Sequence, residues 1–248
     1  MIRWLALVLA LAGSQALACP PPSEALLFHS CWGAAEAALH PLPGVLPRAD
    51  GARRHLTVTG VYTGEGARPD GGPLPVGMFV HGGQVLNPNL GRMDGVLILP
   101  PGGGRPELHH RARVAFGGMR YDLRRLDERR AFQRAAAEGG AGVAQSHLLI
   151  VDGAPDVSPR AGAPRFRRRV LFTGPEGWGV WQSGEALTLY EATERLATAR
   201  APRMALNLDM GSFDYCWLRR DAGPPERCGL RARHDTAQLS NILSFTLR

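Results

Sequence analysis

Short apolar runs, separated by glycine- and proline-rich turns, dominate the hydropathy pattern of this chain. Alternation of apolar and polar residues over such short runs is typical of strands with one buried face. We therefore predict strands at residues 55–62, 76–80, 96–99, 146–151, 167–172, 178–182, 204–209 and 241–247. The intervening Thr-Gly-Pro-Glu-Gly at 173–177 predicts that the strands on either side of it form a hairpin.

Other segments have helical character. Residues 123–138 carry sparse apolar anchors among mixed charges, and residues 188–200 begin with Thr188 and Glu191 at the spacing of a capping box. An alanine-rich stretch from 23 to 39 predicts a further helix. Strands with two or three inserted helices predict an α+β (mixed α/β) fold, with one mixed, largely antiparallel sheet. We place an N-terminal helical segment and linker at 19–54 and a single main domain at 55–248.

The N-terminus has the pattern of a secretory signal peptide at residues 1–18. Arg3 supplies a positive charge, residues 4–13 are apolar but too short to span a bilayer comfortably, and Ala16 and Ala18 form a small-x-small cleavage pattern. This predicts a secreted or periplasmic protein without a membrane span. A cysteine directly after the cleavage point, Cys19, leaves a lipid anchor open as the alternative.

The four cysteines fall into two pairs that are close in sequence. In an oxidising compartment this arrangement predicts the disulfides Cys19–Cys31 and Cys216–Cys228. Zinc binding is the alternative, but the sequence has no C-x-x-C motif and no nearby Cys/His ligand set. Lipidation of Cys19 would leave Cys31 unpaired, which counts against an anchor.

The net charge is +7, and all 29 basic residues are arginine. Either guanidinium groups are used for phosphate or carboxylate recognition, or a GC-rich coding bias replaces lysine by arginine. Positive charge alone attracts any polyanion and identifies none. The sequence has no aromatic–basic groove signature and no nucleic-acid-binding motif, so we expect no nucleic-acid partner. Nucleophile-elbow, P-loop and zinc-protease motifs are also absent.

The C-terminal half contains a run of motifs in a recognisable order. The stretch Leu-Thr-Leu-Tyr-Glu at 187–191, followed by Met-Ala-Leu-Asn-Leu-Asp at 204–209, resembles the phosphodiester glycosidase family. Further similar elements follow the family's order, at residues 80–83, 94–98, 144–153, 167–169 and 240–243. The chain departs from the family pattern at His81, at Val170 and at 210–214, where Met-Gly-Ser-Phe-Asp replaces a Gly-Gly-Gly-Ser-Ser run. The resemblance covers about residues 55 to 247.

The resemblance implies a glycoside hydrolase-like protein that cleaves a sugar–phosphodiester or a related envelope glycan. We predict no cofactor and identify no metal-ligating residues. Such cleavage needs a carboxylate near the anomeric carbon and cationic or N–H donors around the phosphate. The implied catalytic residues are Asp209 and His81. The implied substrate-binding residues are Asn207, Gly82, Gly83, Arg167, Arg168, Arg169, Gly211 and Ser212. The loss of the glycine run also motivates an alternative, a catalytically inactive envelope protein that binds an anionic glycan in the same pocket.

Each of these residues has a structural interpretation as well. Asp209 fits turn hydrogen bonding, Asn207 fits pairing at a strand edge, and His81 fits a structural role at the end of a strand. The three arginines alternate faces if extended, so Arg167 and Arg169 point one way and Arg168 the other. One face could hold phosphate, or the whole run could be a solvated charge cluster.

Overall fold

A computed structural model describes residues 19–48, 51–68, 71–221 and 223–248, so the predicted signal peptide lies outside the described residues. The first strands of the described chain are β1 Leu26–His29, β2 Ala35–Pro41, β3 Arg54–Thr59, β4 Thr63–Ala67, β5 Pro73–Pro75, β6 Phe79–His81, β7 Gln84–Asn87, β8 Gly95–Leu99, β9 Glu107–His110, β10 Val114–Phe116 and β11 Met119–Tyr121. The later strands are β12 Gly142–Ser146, β13 Leu148–Val151, β14 Ala154–Pro155, β15 Arg169–Gly174, β16 Gly177–Gln182, β17 Met204–Asn207, β18 Cys216–Arg220, β19 Glu226–Arg227 and β20 Asn241–Leu247. Two α-helices, α1 Leu126–Glu138 and α2 Leu189–Arg200, and two short 3-10 turns complete the described elements.

The strands form three large sheets and two small ribbons. The six-stranded sheet has the order β1-β16-β15-β17-β13-β14, and the two five-stranded sheets have the orders β7-β6-β12-β8-β9 and β19-β18-β3-β20-β2. The ribbons are β4-β5 and β10-β11. Every pairing between described strands is antiparallel.

The predicted α+β class with one mixed sheet is therefore wrong, because the described chain is largely β and its sheets are antiparallel throughout. The apolar runs are short and closely spaced by turns, so most strands pair with partners that run back alongside them, and crossover helices are not needed. Three predictions made from local sequence signals are confirmed. Helices α1 and α2 form, the capping box of Thr188 and Glu191 is present, and β15 and β16 form the predicted hairpin.

The predicted N-terminal helix is also wrong. Residues 23–39 contain β1, the 3-10 turn Ser30–Trp32 and most of β2. Strand β2 pairs with β20 along its whole length, from Ala35 opposite Leu247 to Pro41 opposite Asn241. Alanine favours helices by intrinsic propensity, but the propensity differences are small, and this long-range pairing outweighs them.

The three large sheets enclose one central apolar core. On β8, Leu97 and Leu99 enter this core, whereas Val96 and Ile98 point outwards to a second cluster that includes Phe132 of α1. Helix α2 covers the six-stranded sheet in the same way. Strands buried on both faces have continuous apolar runs, which explains why β8 lacks a clear alternation in the sequence. No helix of the described residues is both long and apolar enough to cross a membrane.

Both predicted disulfides, Cys19–Cys31 and Cys216–Cys228, are present. Because each closes a loop of similar length, the chain-entropy model gives each about 3 kcal/mol of stability. Cys216 is also fully buried in the central core, whereas Cys19 is exposed. We expect the Cys216→Ala/Cys228→Ala variant to lose at least about 3 kcal/mol of unfolding free energy, because packing is lost as well.

The matched variant Cys19→Ala/Cys31→Ala should lose less than the C-terminal pair, because its cysteines contribute little to the core. Urea unfolding monitored by tryptophan fluorescence measures both values. Equal losses for the two double variants would contradict a packing contribution from Cys216.

Candidate active site around Asp209

Asp209 lies where three segments of the chain meet. Strand β17 supplies Asn207 and continues into Leu208 and Asp209. The amide of Leu208 donates to the carbonyl of Arg169 (2.9 Å), and the amide of Asp209 donates to the carbonyl of Gly60 (2.8 Å). Because side chains alternate along an extended chain, Leu208 enters the central core while Asn207 and Asp209 share the opposite face.

The carboxylate of Asp209 is held by two backbone amides. Oδ2 accepts a hydrogen bond from the amide of Thr63 (3.3 Å), and Oδ1 accepts one from the amide of Met210 (2.9 Å). The residue is only 4% exposed. Burial raises the pKa of Asp209 to about 6. The two N–H groups favour the ionised form and lower the pKa, but their effect is smaller than that of burial. The carboxyl group therefore titrates close to neutral pH.

Tyr62 and Asn207 form a polar pair beside this carboxylate. Asn207 Nδ2 donates to the Tyr62 hydroxyl (2.6 Å), while Asn207 Oδ1 is buried and has no hydrogen-bond partner in the described part of the chain. Burial, followed by the charge of Asp209, raises the pKa of Tyr62 to about 12. The Tyr62 ring also packs edge-on against His147, with centroids 5.8 Å apart. A neutral hydroxyl and an unsatisfied amide oxygen thus lie next to Asp209.

The consecutive arginines have three different environments. Arg167 is exposed. Arg168 is buried, with Nε donating to the carbonyl of Leu187 and Nη2 donating to the carbonyl of Pro164, each at 2.8 Å. The charge of Arg168 lowers the pKa of the Tyr62 hydroxyl, so this guanidinium acts electrostatically on the site.

Arg169 is fully buried and is part of a polar network inside the protein. Its Nη2 lies 2.9 Å from Asp214 Oδ1, and Nε and Nη2 both donate to Gln182 Oε1 (3.1 and 2.5 Å). Its Nη1 donates to the carbonyl of Tyr215 (3.4 Å). These contacts join the start of β15 to residues 214–215. They therefore fix the backbone segment that follows Asp209 and hold the carboxylate in place.

The turn after Asp209 contains two further predicted residues, Gly211 and Ser212. Gly211 has φ +78°, which a side chain would strain, and the ring of Phe166 lies next to it. Ser212 is exposed. Phe166 is 43% exposed, and the Arg168 guanidinium lies over its ring at 5.2 Å from the centroid. Phe166 thus covers Arg168 at the rim of the site.

The structure does not bring His81, Gly82 and Gly83 together with these residues. Gly82 and Gly83 have φ of +58° and +75° and form the two-residue turn between β6 and β7, a geometry that suits glycine. His81 lines a different cavity, of about 280 Å³, together with His40. Burial lowers the pKa of His81, and the charge of Arg68 lowers it further. Catalysis by His81 stays a prediction.

Sequence reasoning missed Tyr62, Thr63 and His147 as parts of the site. Tyr62 ends the predicted strand 55–62, and His147 directly precedes the apolar run at 148–151. The polar side chains of Tyr62 and His147, each at the edge of an apolar segment, were the sequence signal for these two residues.

Two residues from the motifs of the family resemblance, Gln145 and Asn241, hydrogen-bond backbone groups of neighbouring segments. Gln145 Oε1 accepts from the amides of Met78 (3.0 Å) and Gly91 (2.9 Å). Asn241 bonds both the amide and the carbonyl of Val61 (2.9 and 3.1 Å), directly before Tyr62. Buried polar side chains that satisfy backbone groups in this way fix local geometry.

One group of metal-ligating side chains occurs in the part of the chain that is described: Cys19, His29 and Cys31, whose ligand atoms lie within 4.8 Å of one another. His29 Nδ1 is 2.7 Å from Cys31 Sγ, so the expectation of no nearby Cys/His set was wrong. Both sulfurs are used in the disulfide, however, and a disulfide sulfur is not the thiolate ligand that metals prefer. Among the residues that the structure describes around Asp209, its own carboxylate is not accompanied by such a set.

Comparisons with known proteins give no family assignment. No family model matches the chain, and no curated protein matches it. Among solved structures, the chain is similar to the zebrafish N-acetylglucosamine-1-phosphodiester alpha-N-acetylglucosaminidase catalytic domain auto-inhibited by its pro-peptide, with a TM-score of 0.49 and 13% identity over 88% of this chain and 74% of that one. It is also similar to a hypothetical protein from Synechocystis, with a TM-score of 0.40 and 14% identity over 86% of this chain and 57% of that one. With TM-scores below 0.5 and identities of 13% and 14%, these similarities assign neither a family nor a function to this chain.

Proposed function

We propose that this chain is an exported hydrolase that acts on glycosyl bonds and cleaves a sugar–phosphodiester or a related envelope glycan. The observation that carries the proposal is the carboxylate of Asp209, which is 4% exposed, fixed by two amides and shifted in pKa to about 6. A buried carboxyl group whose pKa is moved towards neutrality is typical of catalytic groups. The motif resemblance around 204–209 supports the same conclusion.

The proposed reaction breaks the bond between the anomeric carbon and the phosphate oxygen. The bonding electrons leave with the phosphate, and water supplies the new oxygen on the sugar while Asp209 accepts the proton of that water. The developing oxocarbenium charge is stabilised by the same carboxylate. Because a phosphate monoester is a weakly basic leaving group, no second carboxylic acid is required to protonate it.

The neighbours of Asp209 provide the remaining functions in this proposal. The Tyr62 hydroxyl and the free Oδ1 of Asn207 bind sugar hydroxyl groups, since both are neutral hydrogen-bonding groups beside the carboxylate. Arg168 supplies the positive charge that favours a phosphodiester. Gly211 and Ser212 form the adjacent wall. The exposed Arg167 contacts the phosphate at the periphery of the site. Arg169 positions the segment after Asp209 and does not touch the substrate, because its guanidinium is buried against Asp214.

A second candidate function is binding of an anionic glycan without turnover. The observation that favours it is limited access: Asp209 and Arg168 are 4% and 6% exposed, and Phe166 covers the guanidinium. A ligand that contacts only the rim, at Phe166, Ser212 and Arg167, would bind without reaching the carboxylate.

One experiment separates the two candidates. The purified protein is incubated in ¹⁸O-labelled water with a panel of alkyl diesters of hexose 1-phosphates and N-acetylhexosamine 1-phosphates. Label in the released sugar shows cleavage at the anomeric carbon and supports the glycosidase, whereas label in the phosphate shows P–O cleavage and overturns it. Saturable binding of these diesters without release of sugar supports the second candidate, and neither binding nor turnover contradicts both.

A further inference from the structure

A cleft of about 820 Å³ opens on a different part of the molecule from Asp209. Strand β9 forms one wall, the β10–β11 ribbon forms another, and the third contains Asp152, Thr173, Arg203 and Met204 at one end of the six-stranded sheet. Met204 begins β17, whereas Asp209 follows its other end, and five residues at about 3.3 Å each place the two about 16–17 Å apart. The cleft is therefore a separate site.

The lining of the cleft shows that it follows the edge of β9. Six consecutive residues, 105–110, all line it. Side chains along a strand alternate between its two faces, so a cleft lying on one face would be lined by every second residue. Strand β9 is also the last in its sheet and pairs with β8 on one side only, in the described residues. Of its outer backbone groups, the carbonyl of His110 already accepts a hydrogen bond from the amide of Arg113 (2.8 Å), and the remaining N–H and C=O groups face the cleft.

Two arginines that line the cleft have no acidic partner among the described residues and can therefore bind an acidic ligand. Three of the four carboxylates in the cleft already have an arginine neighbour. The pairs are Asp122 with Arg124 (2.6 Å), Glu128 with Arg125 (2.9 Å), and Asp152 with Arg113 (3.0 Å) and Arg203 (3.7 Å), while the fourth carboxylate, Glu107, lies 3.3 Å from the imidazole Nε2 of His109. By contrast, Arg105 and Arg120 line the cleft on opposite walls, and within the described ranges neither contacts a carboxylate.

We propose that this cleft binds an extended acidic peptide segment, which adds to the edge of β9 as a sixth strand of its sheet. Main-chain hydrogen bonds to the outer edge of β9 give the alignment, and Arg105 and Arg120 bind acidic side chains of the segment. Leu108 and Met204 supply apolar surface at the base of the cleft. An acidic glycan would satisfy the arginines equally well, but it lacks the regularly spaced amides and carbonyls that an open strand edge matches.

The test uses synthetic peptides of about ten residues, enough to cover a strand of this length. The probe alternates glutamate and threonine and carries a fluorophore. Three comparison ligands change one property each: a lysine-for-glutamate peptide, the acidic peptide N-methylated at alternate residues, and an oligogalacturonate of equal charge. Binding to the full chain is measured by fluorescence anisotropy and competition at low salt, and amide hydrogen exchange of residues 107–110 is followed with and without the peptide.

We expect the acidic peptide to bind, to slow exchange in residues 107–110, and to weaken by at least about tenfold on N-methylation or in the Arg105→Ser/Arg120→Ser variant. The control variant Arg134→Ser/Arg160→Ser, which removes two exposed arginines outside the cleft lining, should stay within about twofold of wild type, because exposed single charges contribute little. No binding, equal binding of the N-methylated peptide, equal binding of the oligogalacturonate, or binding that is insensitive to the two cleft arginines would each overturn the proposal.

Discussion

Replacing Asp209 by asparagine should lower kcat for sugar release by about 10²- to 10⁴-fold, the usual contribution of a positioned proton acceptor. The asparagine amide keeps an oxygen that accepts from the Met210 amide, but it removes the negative charge and the ability to take a proton. Exposed Asp127 on α1, 72% accessible at its side chain, provides the matched control, and Asp127→Asn should retain full activity. Initial rates with the best diester from the panel measure both variants.

The pH dependence follows from the same carboxylate. The reaction needs Asp209 ionised, and its pKa is raised to about 6. Activity should therefore be constant above about pH 7 and fall by about tenfold per pH unit below about pH 6, until another group titrates. Stability should change in the opposite sense. Because the folded-state pKa lies above the unfolded value of 3.8, protonation of Asp209 favours the folded state as the pH falls from 6 to 4.

This linkage gives the Asp209→Asn variant a second measurable property. Burying the charge costs folding free energy at neutral pH, so the variant should unfold at an equal or higher urea concentration than wild type at pH 7.5. The difference should shrink towards pH 4. Loss of activity accompanied by a large loss of stability would indicate that Asp209 acts through the fold, and retained turnover would remove it from the mechanism.

The parts of the fold that were predictable have local signals. Helix α2 begins directly after its N-cap Thr188 because Thr188 and Glu191 bond each other's backbone, an interaction contained within four residues. Strand β2 has no such signal. Its conformation is set by pairing with β20, whose first residue, Asn241, lies opposite Pro41 and 200 positions after it. Without that partner, an alanine-rich sequence favours a helix. The division of the strands into several sheets depends on many such long-range pairings, and this is why the prediction of one sheet in an α+β fold was wrong.

The candidate site divides in the same way. Period-two alternation correctly places Asn207 and Asp209 on one face of the chain. The contact between Asn207 and Tyr62 joins residues 145 positions apart, so no local pattern could reveal it. The arginine run shows the limit most clearly, because alternation separates Arg168 from its neighbours but cannot tell an exposed Arg167 from a buried Arg169. Arg169 is buried because Asp214 and Gln182 lie next to its guanidinium, and these contacts between distant parts of the chain cannot be read from the alternation.

Replacing Arg169 by methionine should destabilise the protein by about 3–5 kcal/mol, the range observed when one partner of a buried ion pair is removed. Methionine fills much of the space, but it leaves the Asp214 carboxylate, 3% exposed, without its cation and leaves Gln182 Oε1 without its two donors. In contrast, Arg167→Met, two positions earlier in the chain and exposed, should change stability by less than about 0.5 kcal/mol. Urea unfolding curves of the two variants give this comparison directly.

The double variant Arg169→Met/Asp214→Leu tests whether the loss comes from the uncompensated charge. An apolar pair of similar volume can replace a buried ion pair with little cost, so the double variant should recover a large part of the stability lost in Arg169→Met. Equal destabilisation of the single and double variants would instead assign the loss to the bonds with Gln182 and the carbonyl of Tyr215. Because Asp214 anchors the segment after Asp209, a double variant that regains stability but still releases sugar slowly would identify the ion pair as a positioning element for the carboxylate. Full recovery of both properties would limit its contribution to folding.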